Sequence, residues 1–245
     1  MNLASYSEVV LVHSSDLHLG ADSGAVPLSH SLSVLRAVLA AAEAVQADLL
    51  LLAGDTFDNN RQSSRLLACI AQTLSGYPRP VVILPGNHDP LTPDSVYRHT
   101  ALAAIRNLYV LGLTVSEAVV FPDLQVEVWG RAHLDYGDMS PLRTPRTRST
   151  RWQIVAAHGH YVEGPDKPDQ RLGSWLMRPR DLLATGADYI ALGHWIHAKR
   201  VGGRQINAHY SGSPEEGGTV NIVRLQRDGT VAVNPLPVHI SGIKK

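Results

Sequence analysis

Cysteine is almost missing from this chain: Cys69 is the only one in 245 residues. A single thiol excludes any disulfide within the chain, so nothing demands an oxidising compartment. It sits in the apolar helical pattern LLACIAQ and reads as a small core residue rather than a nucleophile. Net charge is missing too, with 22 basic residues against 22 acidic ones. That removes the global positive field which draws nucleic acid or anionic membrane, while leaving room for a local basic patch. No apolar run approaches the roughly 20 residues of a membrane span. The N-terminal MNLASYSEVV lacks the charged start and apolar core of a signal peptide. A cytoplasmic protein with no membrane partner is expected.

What remains is ordinary for a folded domain, with 44% hydrophobic and 18% charged residues. A chain of this size can bury roughly 70–75% of its unfolded surface. No repeat and no linker strong enough to split it is visible, so residues 1–245 read as one domain. Histidine is the outlier. Twelve occur, beside glycine, aspartate and asparagine rather than in a tag-like tract.

The first ninety residues alternate. EVVLVHSS (8–15), DLLLLAGD (48–55) and PVVILPGN (80–87) are strand-like runs. Between them, 30–46 and 63–76 carry helical apolar spacing, the second stopped by Gly76 and Pro78. This β-α-β-α-β order implies parallel strands with helices packed on them. From about 108 onward, short β-prone runs follow one another with one helix near 179–185. Two packed sheets flanked by helices suit this better than one open sheet. Two long polar stretches stand out, 135–150 with Arg143, Arg146 and Arg148, and 159–175.

Polar clusters end the strand-like runs. SSDLHLG holds Asp16 and His18, LLLLAGDTFD holds Asp55 and Asp58, and VVILPGNHD holds Asn87, His88 and Asp89. QIVAAHGH holds His158 and His160, and YIALGHWIH holds His194 and His197. Parallel strands aligned in one sheet bring their C-terminal ends to one rim, so these groups are expected to converge. The glycines before Asp55, Asn87 and His194 permit tight turns that face the polar side chain to the rim. Carboxylate, imidazole and amide together suit Mn²⁺, Fe²⁺ or Zn²⁺, not a calcium or thiolate zinc site. The supply exceeds one ion's needs, and a carboxylate bridging two ions makes a hydrolytic site with bound water as nucleophile.

The ordered set Asp16-x-His18, Gly54-Asp55-x-x-Asp58, Gly86-Asn87-His88-Asp89, His158 and Gly193-His194 resembles the calcineurin-like metallophosphoesterases. The resemblance implies a single-domain α/β fold, a four-layer α/β/β/α sandwich of two mixed sheets. It implies two divalent ions, manganese first, with iron or zinc as alternatives. Asp16, His18, Asp55 and His197 would hold one ion, and Asp55 would bridge to a second held by Asn87, His158 and His194. His88 would face the scissile phosphate and protonate or stabilise the leaving oxygen. Asp58 and Asp89 would orient ligands. The family spaces its last two histidines one residue apart. Here Trp195 and Ile196 both intervene, so His197 reaches the cluster only if the chain bulges. Failing that, His160, His209 or water completes the coordination.

Within the family, SSDLHLG and the C-terminal HYSGSPEEGG resemble SbcD-type DNA-repair exonucleases, whose further C-terminal DNA-capping region is not expected here. A nuclease-like phosphodiesterase acting on DNA or another nucleic acid is the first reading. A small-molecule phosphodiesterase or phosphomonoesterase is the alternative. A catalytically silent protein-binding scaffold is the third, though a scaffold has no chemical need of His88 beside Asn87. A homodimer and a partner protein both stay open.

Taken singly, each cluster has a bland reading. Asp16 could cap a turn, and Gly-Asn-His-Asp-Pro favours turns on composition alone. The bland account must hold independently for every cluster, which is why it loses. His133, His160 and His209 read as structural or site-edge histidines, His13 as a hydrogen-bonded core residue, and His30, His99 and His239 as surface residues. Arg143, Arg146, His160 and Trp195 are candidates for substrate contact, against solvated loop charge for the arginines. Trp175 reads as packing under a loop.

Overall fold

The computed structural model describes residues 8–21, 28–142, 147–163 and 174–240. The first half alternates as its apolar periodicity demands: β1 (Val9–Ser14), α1 (Leu28–Ala44), β2 (Leu49–Ala53), α2 (Ser64–Ser75) and β3 (Val81–Leu84). A short helix α3 (Thr100–Ala103), unannounced by the sequence pattern, precedes β4 (Leu108–Val110). Then come β5 (Ala118–Phe121), β6 (Val126–Gly130), β7 (Trp152–His158), β8 (His160–Tyr161) and β9 (Leu176–Met177). The chain continues through α4 (Pro179–Ala184), β10 (Tyr189–Gly193), β11 (Lys199–Val201), β12 (Ala208–Tyr210), β13 (Thr219–Leu225) and β14 (Val231–Pro237).

Two six-stranded mixed sheets result, ordered β14-β13-β1-β2-β3-β4 and β11-β12-β10-β7-β6-β5. In the first, β1 to β4 run parallel and the C-terminal hairpin β13–β14 extends the edge antiparallel to β1. In the second, β6, β7, β10 and β12 run parallel with antiparallel edges β5 and β11. All five residues of β2, LLLLA, are buried, as an all-apolar strand covered on both faces must be. One stripe of α1, with Val34, Leu35, Val38, Leu39 and Ala42, is buried at helical spacing in the core shared with β1 and β2. Ser63 caps α2 by accepting from the Leu66 amide at 3.2 Å. On the outer face of the second sheet, Met177 and Leu182 pack with Val155 and Ile190.

The sheets meet where β2 lies against β7 and β10, and β3 against β7. This corrects one expectation. The polar clusters do not share the rim of a single sheet; His158 and His194 come from β7 and β10 of the second one.

Candidate metal centre

The site is assembled from loops that continue past their strands while still hydrogen bonded. The Asp16 amide donates to Gly54 O at 3.0 Å, His18 to Asp55 O at 3.1 Å and Leu19 to Thr56 O at 2.9 Å. The two loops therefore travel together beyond β1 and β2. Asp16, His18 and Asp55 adopt positive φ of 56°, 45° and 50°, a region that aspartate and histidine visit more readily than most residues. His194 has φ of 106°, outside the ordinary left-handed well. Four of seven non-glycine residues with positive φ among the described residues are candidate ligands, a concentration that marks a site held by its surroundings.

Close approach between the sheets depends on two glycines. A Cβ on Gly54, itself at φ of 94°, would lie 2.0 Å from His158 Nδ1. One on Gly193 would lie 2.0 Å from Ala53 O and 2.7 Å from His158 Nδ1. The glycine before His194 thus serves close packing rather than a left-handed turn.

His158 is closed to solvent. Its Nδ1 lies 2.9 Å from Ala53 O, which can only accept, so Nδ1 carries the hydrogen. Nε2 then faces inward, 3.1 Å from Asp55 Oδ2, 3.0 Å from Asn87 Oδ1 and 3.2 Å from His194 Nδ1. Asp55 Oδ1 accepts from the His88 amide at 2.9 Å. The Asp16 carboxylate accepts from the His194 amide at 3.1 and 2.9 Å, tying the first strand's loop to the second sheet. His18 Nδ1 lies 3.3 Å from Asp58 Oδ1, and its Nε2 is 4.0 Å from Asp55 Oδ2.

Three groups of ligand atoms lie within 4.8 Å of one another: Asp16, His18 and Asp55; Asp55, His158 and His194; and His18, Asp58 and His88. Among the described residues, no lysine or arginine pairs with Asp16 or Asp55. The electrostatics register that lack. Burial pushes the Asp16 carboxyl up, and the Asp55 carboxylate pushes in the same direction against His158. Burial also opposes ionisation of Asp55, but His158 and His88 outweigh it and hold Asp55 below the usual carboxylate range. His158 itself is pushed down by burial and, more strongly, up by Asp55 and Asp16, to about 9. Carboxylates, imidazoles and the Asn87 amide oxygen converge here with no lysine or arginine among the described residues to balance the carboxylates, and that ligand set fits a divalent transition metal.

His88 is exposed, its Nδ1 donating to Asp58 O at 2.9 Å and its ring set edge-on to His18 at 4.8 Å. Among the described residues, Asp89 hydrogen-bonds to backbone amides and a tyrosine rather than to a ligand side chain. It is fully buried and accepts from the Phe57 amide at 2.9 Å, the Gly86 amide at 2.7 Å and the Tyr97 hydroxyl at 2.5 Å. It thereby pins the loops carrying Asp55 and Asn87. Burial and the Asp55 charge raise its carboxyl to about 6. Nothing in the sequence announces Tyr97, which lies in an unremarkable 3₁₀ turn.

Other candidates are placed differently. His197 is exposed and joins none of the three groups. His160 Nε2 lies 2.9 Å from His194 Nε2, on the side away from Asp55's group. His133 is buried, and its Nε2 donates to His158 O at 3.1 Å. Trp175 stands at the rim, edge-on to His133 at 5.4 Å and His194 at 5.8 Å, closer to the site than its loop suggests. His209 stacks on Tyr189 away from the site, and His13 Nδ1 bonds the Tyr189 hydroxyl at 2.9 Å. His30 pairs with Glu215 at 2.8 Å, and His99 caps α3. Arg148 pairs with Asp188 at 2.6 Å and so anchors its loop, while Arg143 and Arg146 lie outside the described residues.

Comparisons with known proteins agree with this two-sheet fold. The model of the calcineurin-like phosphoesterase family matches residues 9–198, and the chain belongs to that family of phosphoester hydrolases. The SbcD subunit of the SbcCD nuclease of Bacillus subtilis (strain 168) is 25% identical over 241 residues, which span 83% of this chain and 61% of that protein. The chain therefore covers about three fifths of that relative's length. The protein TT1561 of Thermus thermophilus superposes with a TM-score of 0.57 at 12% identity, over 93% of this chain and 99% of that one. Another solved structure matches at 0.56 with the same identity and coverage, and both likenesses speak for the fold alone. Among the described residues, no helix is long and apolar enough to cross a membrane.

Proposed function

We propose that this chain is a dinuclear-metal phosphodiesterase of nuclease type, working on a nucleic-acid strand. The observation that carries the two-ion reading is that Asp55 belongs to two separate groups of converging ligand atoms. Asp16 and His18 complete one. His158, His194 and Asn87 surround the other. Bound divalent cations, manganese foremost, supply charge that polarises the phosphate and lowers the pKa of water.

The chain's own groups do the rest. His88 Nδ1 donates to Asp58 O, which holds the ring and leaves Nε2 to serve the leaving oxygen. Water oxygen attacks phosphorus in line, the bond to the leaving oxygen breaks, and protonated His88 gives that oxygen its proton from Nε2. The water's own proton passes to solvent. Asp58 orients His18, and Asp89 holds the loops in register. The nuclease reading draws on the likeness to one component of a nuclease, and a cytoplasmic setting on the lone cysteine.

Hydrolysis of bis(p-nitrophenyl) phosphate with Mn²⁺, its loss with chelator, and cleavage of end-labelled single-stranded or duplex DNA test this. Turnover of small diesters with no cleavage of any nucleic acid would replace the nuclease reading with a small-molecule phosphodiesterase. No metal-dependent turnover at all would leave the silent scaffold.

A further inference from the structure

The two flanks of the metal centre differ in chemistry. Beyond His18, a cavity of about 940 Å³ has a mixed wall, polar along residues 59–63 and Arg65 and apolar at Leu28 and Leu66. Beyond His194, a cavity of about 540 Å³ is lined by His160 and the segment 194–199, and its exposed wall is chiefly apolar. Both volumes fall in the range of about 300–1,000 Å³ typical of small-ligand sites.

The apolar cavity shares His194 with the metal centre, with His160 beside it, so a group bonded to a phosphate at the ions would be delivered directly into it. Its wall holds Ile196, 48% exposed, next to the half-buried indole of Trp195. That indole rests 5.4 Å from the Tyr210 ring, tilted by 31°, and is thus backed by a buried residue. Lys199 Nζ hovers 5.2 Å from the Trp195 centroid. The occupant must therefore combine a flat apolar surface with nearby negative charge. An alkyl or peptide group bonded to the phosphate would offer the indole no flat face to stack on, and a bare sugar phosphate would leave Ile196 and Trp195 uncovered.

We infer that this groove receives the base of the nucleotide whose phosphate lies at the metal centre. The inference rests on the phosphodiesterase reading above and names its substrate as a nucleoside ester. The base packs against Ile196 and the Trp195 ring. Lys199, exposed on a four-carbon stem, exchanges its contact with the ring for one with a substrate phosphate. The extra residue between His194 and His197 is what sets both Trp195 and Ile196 along this wall.

The test is calorimetric titration of thymidine 5′-monophosphate and of 2-deoxyribose 5-phosphate into the Mn²⁺-loaded wild type, Ile196→Ser and Trp195→Ala. The wild type should bind the nucleotide about tenfold more tightly than the base-free sugar phosphate, an advantage of the size that one stacked base supplies. The advantage should fall to about twofold or less in each variant. Ile196→Ser alters an exposed side chain and so reads out binding even if Trp195→Ala does not fold. Equal affinity for both compounds in the wild type, or an undiminished advantage in Ile196→Ser, overturns the inference while leaving the metal centre standing. Binding of neither compound by the Mn²⁺-loaded wild type would overturn the metal-centre reading and this inference with it.

Discussion

His13 and His158 are both closed to solvent, His13 within β1 and His158 at the end of β7. Burial disfavours the charged imidazole at each. His13 yields to it: burial, reinforced by His209, brings its pKa down to about 3. His158 does not, because Asp55 and Asp16 face it and raise it to about 9. Around His13 the neighbours are the Tyr189 hydroxyl and the Tyr189 ring that stacks on His209, with no carboxylate among them. The same residue type, equally buried, serves as a neutral strut between the sheets and, at their common end, as part of an anionic cavity that calls for a cation.

Breaking the site end should have the largest effects. Asp55→Asn should abolish turnover and lose both ions by elemental analysis, whereas Asp16→Asn should lose one. Loss of a single ion from Asp55→Asn would contradict the bridging role. Next, His88→Ala should lower kcat by about 10²–10⁴-fold with metal content unchanged. A fall in metal content would instead make His88 a ligand.

At the His13 end the effect is on stability and follows pH. The folded-state pKa of about 3 lies below the ordinary 6.5, so between these values the unfolded chain binds a proton that the folded chain refuses. Stability is present above about pH 6.5 and is lost as pH falls, by up to about 1.4 kcal/mol per pH unit from this group. His209 and His133, each held at about 4 chiefly by burial, push the same way. His13→Asn should therefore flatten, without abolishing, the fall in unfolding midpoint between pH 7 and pH 5. An unchanged slope would remove His13 from the account. Smallest of all, His197→Ala should keep both ions and change turnover by less than about twofold, while His194→Ala loses an ion. Loss of an ion from His197→Ala would show that the loop turns inward when loaded.

Much of this was legible along the chain. Asp16, His18, Asp55, Asn87 and His88 follow strands β1, β2 and β3, whose order and parallel sense follow from alternating apolar periods. A side chain at a strand end is positioned by local geometry, and local geometry is what a sequence pattern encodes. Tyr97 was not legible, since its hydroxyl meets Asp89 only after a 3₁₀ turn folds back. Neither was the rim position of Trp175, which depends on its amide and indole bonding Asp138 and Gly137 in a loop distant in sequence. His197 shows the limit most directly. One additional residue changes which way a side chain faces, and only the path of the backbone after β10 decides the outcome.

The sequence by itself determined the chemistry available: which carboxylates, imidazoles and amide end which strands, and that their number exceeds one ion's needs. Tertiary structure decided which of them meet. His158 reaches Asp55 only because β2 packs against β7 and β10 across glycines that leave no room for a Cβ. That approach is set by the shape of two whole sheets, a property no local run of residues contains.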